Sequence, residues 1–228
     1  SETVIDHMAL PYDELKKSDY KYSYSEAYLP LAVTFEWKSG NIGKDDKCTL
    51  SISETADFAS TVTYEVNGKK CDVYNLKNGT VYYWKVKSLT FESPVFSFST
   101  AGNIPGCIYS ENVSNIRDIG GYLTTDNKAV KHGLIYRSAG LDDVTASDID
   151  TLINGLGIVT DVDLKDDGGT VSFLGEKIKY VYAPVGEYTD IFANNSSYNN
   201  SLKNIFSTFA DKSELPLIYH CDSGCDKT

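Results

Sequence analysis

The chain has 228 residues, of which 41% are hydrophobic and 23% are charged, and its formal net charge at pH 7 is -11. An acidic surface argues against binding to the nucleic-acid backbone, and no apolar run reaches the roughly 18 residues that a membrane span needs. Five cysteines are too few for a disulfide scaffold, and their odd number leaves at least one thiol free or paired with another chain.

The first half alternates apolar and polar residues with a period of two. In its first two strands the apolar positions are Leu31, Val33, Phe35, Trp37, Cys48, Leu50 and Ile52. Further short runs of this kind lie at 61–66, 71–76, 80–86 and 93–100. Short strands separated by turn residues, with no helical run between them, predict an antiparallel β-sandwich. Tyr82, Trp84 and Val86 are predicted to face its interior.

The strand around Trp37 and the segment LKNGTVYYWKV resemble a fibronectin type III module. In that segment Leu76, Gly79, Thr80 and Tyr82 resemble the tyrosine corner of the family. Such modules act as spacers or binding platforms, so the resemblance implies a surface ligand for this half. We therefore divide the chain into an N-terminal extension (1–28), a fibronectin type III-like all-β sandwich (29–104) and a second domain (105–228).

The second domain alternates predicted strands with predicted helices. Strands are predicted at 134–138, 158–164, 178–185 and 216–220, and helices at 144–157 and 202–211. Thr145 as N-cap, with Asp148 three residues later, marks the start of the first helix. This alternation predicts an α/β domain with a parallel sheet and crossover connections.

The last predicted strand runs directly into a loop with the sequence HCDSGCDKT. Five residues separate Cys221 from the cation of Lys227, and such a loop can turn its backbone N–H groups inward to hold an oxyanion. Convergent N–H dipoles and a nearby cation lower the pKa of a thiol, so Cys221 is a candidate nucleophile. This chemistry predicts displacement at phosphorus through a phosphocysteine intermediate, with an acid protonating the leaving oxygen. The alternative interpretation is a small residue buried at a strand end.

The loop resembles the Cys-x5-Arg signature of protein tyrosine phosphatases, in particular a bacterial branch that acts on phosphotyrosine, phosphoserine or phosphoinositides. Segments at 115–122, 133–138 and 156–164 resemble further motifs of this branch in the same order. The resemblance implies that Cys221 is the nucleophile and Asp226 the general acid. The residues that it implies for phosphate binding are Asp222, Ser223, Gly224, Cys225, Asp226 and Lys227. The supporting residues that it implies are His220, Arg117, Asp118, Asp163 and Thr228.

The sequence departs from this family in two respects. Lys227 stands where the family has Arg, and a lysine lacks the planar fork that grips two phosphate oxygens. Relatives also carry Arg where Lys165 stands. The chain stops at Thr228, where the family continues with a helix whose N-terminus points at the phosphate. We therefore expect a slow enzyme, and we expect the α/β domain to be incomplete and the natural protein to continue past Thr228.

Three functions compete at this point. The first is a cysteine-dependent phosphatase that acts on a phosphorylated protein or small phosphoester, without metal or other cofactor. The second is a pseudophosphatase that binds phosphate without turnover, and the third is a surface adhesion or spacer protein that works through residues 29–100. Residues 105–228 hold 10 basic and 18 acidic side chains, which disfavours highly phosphorylated substrates. By resemblance we expect a bacterial cell-surface or extracytoplasmic protein, with the cytoplasm as the alternative.

The other cysteines have alternative interpretations. Cys225 is predicted to be a passive loop thiol or a partner for a reversible disulfide with Cys221. Cys48 and Cys71 fall on inward positions of the sandwich. They are predicted to be packed thiols or, if the protein is exported, a disulfide between the sheets. Cys107 has no obvious partner.

Overall fold

The structure, a computed structural model, describes residues 32–38, 43, 45–100, 106–186 and 196–228. The predicted N-terminal extension at 1–28 and Leu31 lie outside the described residues, and so does most of the junction between the predicted domains, at 101–105.

Six antiparallel strands make up the described part of the N-terminal half. They are β1 (Val33–Glu36), β2 (Lys47–Ser53), β3 (Thr61–Asn67), β4 (Lys70–Val73), β5 (Val81–Ser88) and β6 (Phe96–Ser99). One sheet has the order β3-β2-β5-β6, and β1 pairs with β4 in a second, two-stranded sheet. The predicted strands are therefore confirmed.

Both N-terminal sheets contribute to one hydrophobic cluster. Its buried members are Phe35, Trp37, Cys48, Leu50, Ile52, Cys71, Val73, Tyr82 and Val86. Their alternation along each strand places one face of the strand in the core, as the period of two predicts. Trp84 is partly buried against the same cluster, so the inward positions predicted on β5 are confirmed. Cys48 and Cys71 are buried free thiols.

The C-terminal half contains a five-stranded sheet. Its strands are β7 (Arg117–Asp118), β8 (Ile135–Ser138), β9 (Thr160–Asp163), β10 (Lys179–Tyr182) and β11 (Leu217–His220). Their order is β10-β9-β11-β8-β7, and only β7 at one edge runs antiparallel. The predicted α/β arrangement is confirmed, with β11 at the centre of the sheet.

Two helices lie between these strands in the described part of the chain. Helix α1 (Ala146–Asp150) continues directly as a π-helical turn (Thr151–Gly155), and helix α2 spans Ser196–Ala210. A short 3-10 helix (Lys212–Glu214) leads from α2 to β11. Neither helix, in the described part of the chain, is long and apolar enough to cross a bilayer.

The start of α1 has the capping box that the sequence predicts. The Thr145 hydroxyl accepts a bond from Asp148 N, and the Asp148 carboxylate in turn accepts from Thr145 N. Burial raises the pKa of Asp148, but bonds from Ser110, Thr145 and Asn112 outweigh it and hold that pKa well below its usual range. Asp148 thereby ties the 110–112 segment to the helix.

The two helices contribute to two separate clusters of the α/β half. Leu152 of the π-helical turn packs with Ile158 and Ile218, whereas Ile205 of α2 packs with Val162 and Leu217. Ile218 and Leu217 are neighbours in β11, whose successive side chains point to opposite faces of the sheet. The central strand is therefore covered on both faces, which fixes the position of the residue that follows it.

A contact also joins the two halves of the chain. Asn75, after β4, donates from Nδ2 to Tyr109 O (2.9 Å) and accepts from Tyr109 N at Oδ1 (2.7 Å). The adjacent Tyr74 ring stacks on the Tyr109 ring with centroids 4.2 Å apart. One side chain thus pairs both backbone groups of Tyr109, as a neighbouring strand would.

Candidate active site

Cys221 lies immediately after β11, at the carboxyl end of the central parallel strand. Only 2% of the residue is exposed, and it packs in the cluster that contains Val162 and Leu217. Ligand sites of α/β folds form at this edge of the sheet. The buried core holds the backbone of Cys221, and the loop at 222–228 surrounds its thiol. We call this loop the phosphate loop, after the ligand that the sequence predicts for it.

Hydrogen-bond donors of the phosphate loop converge on the sulfur of Cys221. The Thr228 hydroxyl donates to Cys221 Sγ at 2.8 Å. Burial raises the pKa of the Cys221 thiol, but the Thr228 hydroxyl and backbone N–H groups of Gly224, Thr228 and Ser223 outweigh it. The pKa of Cys221 is therefore lowered, which favours the thiolate, the nucleophilic form of cysteine.

The outer side of the phosphate loop is held by other segments of the domain. Asn115 donates from Nδ2 to Ser223 O (3.1 Å) and to Gly224 O (2.8 Å). Arg137 of β8 donates from Nη2 to the same Gly224 O at 2.7 Å. These contacts join parts of the chain 87 to 109 residues apart in sequence.

The loop conformation depends on a glycine. Gly224 has a φ of +68°, and a Cβ at this position would lie 2.5 Å from the backbone carbonyl of Ser138. A backbone group cannot give way as a flexible side chain does, so both the torsion angle and the close approach require glycine here.

Lys227 forms an ion pair at the edge of the site. Its Nζ lies 2.6 Å from Asp166 Oδ2, in the segment after β9. Asp226 and Cys225 are exposed, and Cys225 Sγ accepts a bond from Asn115 Nδ2 at 3.2 Å. The seven residues from Cys221 to Lys227 therefore carry a thiol, a carboxyl group and a cation.

Beneath the loop lies a buried polar network around His220. Its Nε2 is 3.0 Å from Asp161 Oδ1, and its Nδ1 is 3.9 Å from Asp163 Oδ1. Burial lowers the pKa of His220, but the Asp161 and Asp163 carboxylates outweigh it and raise that pKa above its usual value. Asp163 also accepts a hydrogen bond from the Tyr180 hydroxyl (2.8 Å). Burial raises the pKa of Tyr180, and this bond raises it further.

The second lysine of interest, Lys165, is buried beside the site. Its Nζ donates to Asp142 Oδ1 at 2.5 Å, and its backbone N–H donates to Asp163. Burial lowers the pKa of Lys165, but the Asp142 carboxylate more than offsets this and raises it. Lys165 therefore serves as a buried cation that links the segments after β8 and β9.

The two residues expected to brace the site from β7 have different surroundings. Asp118 is buried and accepts bonds from Gly120 N (2.8 Å), Gly133 N (2.8 Å) and His132 Nδ1 (3.0 Å), which close the 120–133 segment. Arg117 pairs through its backbone with Arg137, the residue whose side chain contacts the phosphate loop.

Sequence reasoning missed four residues that contact the loop. They are Asn115, Arg137, Asp166, which pairs with Lys227, and Gly140, whose N–H donates to Asp222 O at 3.1 Å. Asn115 and Arg137 fall within recognisable motifs, but no local pattern indicates which distant carbonyl a side chain reaches.

In the described residues, no group of three or more His, Cys, Asp or Glu side chains could hold a metal ion. The arrangement supports nucleophilic chemistry on a bound anion.

Comparison with known proteins agrees with this geometry. The profile described as "Tyrosine phosphatase family" matches residues 108–228, more than half of the chain. No curated protein matches significantly.

Among solved structures, the chain is similar to the core catalytic domain of the PP-IP phosphatase SIW14 from S. cerevisiae in complex with citrate. The identity is 16% and the TM-score 0.31, over 41% of this chain and 56% of that one, so this chain spans little more than half of that domain. A structure titled "Myokine structure" matches with 15% identity and a TM-score of 0.26, over 32% of this chain and 85% of that one.

Proposed function

Since the chain belongs to the tyrosine phosphatase family of phosphoric monoester hydrolases, we propose that it hydrolyses phosphotyrosine or another phosphomonoester through a phosphocysteine on Cys221. The observation that carries this proposal is the convergence of the Thr228 hydroxyl and loop N–H groups on Cys221 Sγ. A thiolate and an anion-binding loop in one place are what displacement at phosphorus needs.

In the first step of the proposed reaction, the Cys221 thiolate attacks phosphorus and an S–P bond forms. The P–O bond to the leaving group breaks, and the carboxylic acid of Asp226 gives its proton to the leaving oxygen. A water molecule then attacks phosphorus while the Asp226 carboxylate takes its proton. The S–P bond breaks, and inorganic phosphate and the Cys221 thiolate are released.

The loop N–H groups and Lys227 would bind the oxygens of the transferring phosphoryl group. Lysine offers a compact charge rather than a bidentate fork, so we propose that turnover is slow. A phosphorylated protein or a small phosphoester with few other negative charges fits best, because Asp166 contacts Lys227 and the loop itself contains Asp222 and Asp226.

The same departure at Lys227 favours a second candidate, a pseudophosphatase that binds phosphorylated ligands without turnover. Two measurements on the protein distinguish these functions: phosphate release from an aryl phosphate and binding of phosphate. A phosphatase releases phosphate, and its Cys221→Ser variant releases none above background. A pseudophosphatase releases none in either form, yet both forms bind phosphate and the Lys227→Arg variant gains turnover.

We further propose that the N-terminal sheets form a fibronectin type III-like module of a bacterial surface or secreted protein. The Tyr82 hydroxyl supports this assignment because it accepts a bond from Lys77 N (2.9 Å), five residues upstream, as in a tyrosine corner. If this module is instead the working part, a surface ligand will bind residues 29–100 alone, and Cys221→Ser will leave that binding unchanged.

A further inference from the structure

The inner and outer sides of the phosphate loop are connected through its peptide planes. In a trans peptide the C=O and N–H bonds point in opposite directions. The carbonyl of Ser223 and the N–H of Gly224 share one such plane, and that carbonyl contacts Asn115 on the outside. The Gly224 N–H is accordingly one of the donors to Cys221 on the inside.

The preceding peptide follows the same rule. Its carbonyl, Asp222 O, accepts a bond from Gly140 N (3.1 Å), and its N–H, on Ser223, is directed at the sulfur of Cys221. Two successive peptides therefore present N–H groups to the thiol while their carbonyl oxygens are bonded from outside.

The following peptide is held most firmly. Its carbonyl, Gly224 O, receives both Asn115 Nδ2 (2.8 Å) and Arg137 Nη2 (2.7 Å). A bond from a guanidinium group to a carbonyl is charge-assisted and stronger than one between neutral groups. Rotation of this peptide would break both bonds and turn a carbonyl oxygen toward the site that must accept an anion.

We propose that Asn115 and Arg137 are positioning residues that clamp the outward carbonyls of Ser223 and Gly224 and so keep the loop N–H groups aimed at Cys221. Both clamping side chains come from supported positions. Asn115 lies between the buried residues Val113 and Ile116, and Arg137 is part of β8. The clamp is thus anchored in the sheet and its core rather than in the loop itself.

The backbone of Asn115 allows its side chain to be removed selectively. Its φ is +61°, a left-handed conformation that glycine adopts without strain, so Asn115→Gly deletes the amide and leaves the backbone favourable. Asn127 has nearly the same φ, +59°, in an exposed turn. Asn127→Gly is therefore a matched control for the added flexibility of glycine.

The test measures how fast iodoacetamide alkylates Cys221 as a function of pH, with the modified peptide quantified by mass spectrometry so that Cys225 does not interfere. We expect the titration midpoint to rise by about one pH unit in Asn115→Gly, which lowers the alkylation rate about tenfold at pH values below both midpoints. Protection of Cys221 by inorganic phosphate should weaken by a similar factor. Asn127→Gly should behave as the wild type in both measurements.

A wild-type midpoint and wild-type phosphate protection in folded Asn115→Gly would overturn the proposal, even if its melting temperature is lowered. If that variant does not fold, Arg137→Gln removes the charge-assisted bond to Gly224 O, and we then expect weaker protection of Cys221 by inorganic phosphate. Wild-type protection in that variant would overturn the proposal. Only the expected effect of the clamp on turnover rests on the proposed function. If the alkylation midpoint shifts in Asn115→Gly but the wild type has no phosphatase activity, the clamp is supported and the proposed phosphatase function is rejected.

Discussion

His220 Nε2 and Asp161 Oδ1 lie 3.0 Å apart, and both side chains are buried where β11 and β9 run side by side. His220 immediately precedes Cys221, so this buried contact lies at the strand end from which the phosphate loop departs. Removal of one partner of a buried pair leaves an uncompensated charge, which costs about 3 kcal/mol or more.

The raised pKa of His220 makes stability depend on pH. The protonated imidazole stabilises the fold fully below the unfolded-state pKa of about 6.5, and the contribution is lost as the pH rises through the higher folded-state value. We expect the free energy of unfolding to fall as the pH rises above about 6.5. Asp161→Asn should flatten this dependence and lower the free energy of unfolding at pH 6 by about 3 kcal/mol.

Urea unfolding between pH 5.5 and 8.5, followed by far-ultraviolet circular dichroism, measures this effect, because helices α1 and α2 both belong to the α/β half. Asp150→Asn, an exposed carboxylate of α1, is the control and should keep the wild-type slope. An unchanged slope in Asp161→Asn would show that the His220–Asp161 pair is not the source of the pH dependence.

Lys227→Arg should raise the rate of phosphoester hydrolysis. The guanidinium group can bind two phosphoryl oxygens at once, and recovery of an oriented donor is worth on the order of 3 kcal/mol, or about a hundredfold in kcat/KM. Steady-state kinetics on an aryl phosphate measure the change, with Lys203→Arg on the exposed side of α2 as the control. Equal or lower activity would mean that the site is adapted to lysine.

Asp166→Asn should tighten phosphate binding. The Asp166 carboxylate lies 2.6 Å from Lys227 Nζ and competes with a bound phosphate for that cation. Because Asp166 is half exposed, the gain corresponds to 1 kcal/mol at most, or about twofold to fivefold. The inhibition constant of inorganic phosphate measures it, and Asp167→Asn next to it is the control. Weaker phosphate inhibition would show instead that Asp166 holds Lys227 in its binding position.

Gly224→Ala should disrupt the phosphate loop more than its backbone angle alone requires. The added Cβ would meet the Ser138 carbonyl at 2.5 Å, whereas in Gly157→Ala, at a φ of +75°, it would meet only Pro216 Cγ at an ordinary 3.8 Å. Both variants carry the cost of a left-handed residue, about 1 kcal/mol. We expect a further loss of stability and loss of Cys221-dependent turnover only in Gly224→Ala. Thermal unfolding and the phosphatase assay compare them, and equal effects would contradict the steric argument.

The sequence predicted the strands and helices because their signals are local. Alternation along β2 and the capping box of Thr145 and Asp148 each depend on neighbouring residues, and both occur as predicted. The π-helical turn after α1 gives no such signal, because the apolar spacing of Leu152 and its neighbours also fits an ordinary helix.

The candidate site was only partly predictable for the same reason. Cys221 and its loop form one continuous segment and can be recognised as such. Asn115 reaches Gly224 across 109 residues, and Lys227 reaches Asp166 across 61. Such pairs depend on the order of strands in the sheet, which places β9 and β8 on either side of β11. A strand order is not encoded in any single stretch of sequence.

Asn75→Gly should uncouple the two halves of the chain without affecting the phosphate loop. Asn75 has a φ of +63°, so glycine keeps the turn while both bonds to the Tyr109 backbone are lost. Two hydrogen bonds contribute about 1–3 kcal/mol together. We expect the halves to melt at more widely separated temperatures in calorimetry, while Cys221-dependent turnover stays within twofold of the wild type. Asn127→Gly again controls for chain flexibility, and a fall in turnover would show that the N-terminal half supports the active site through Tyr109.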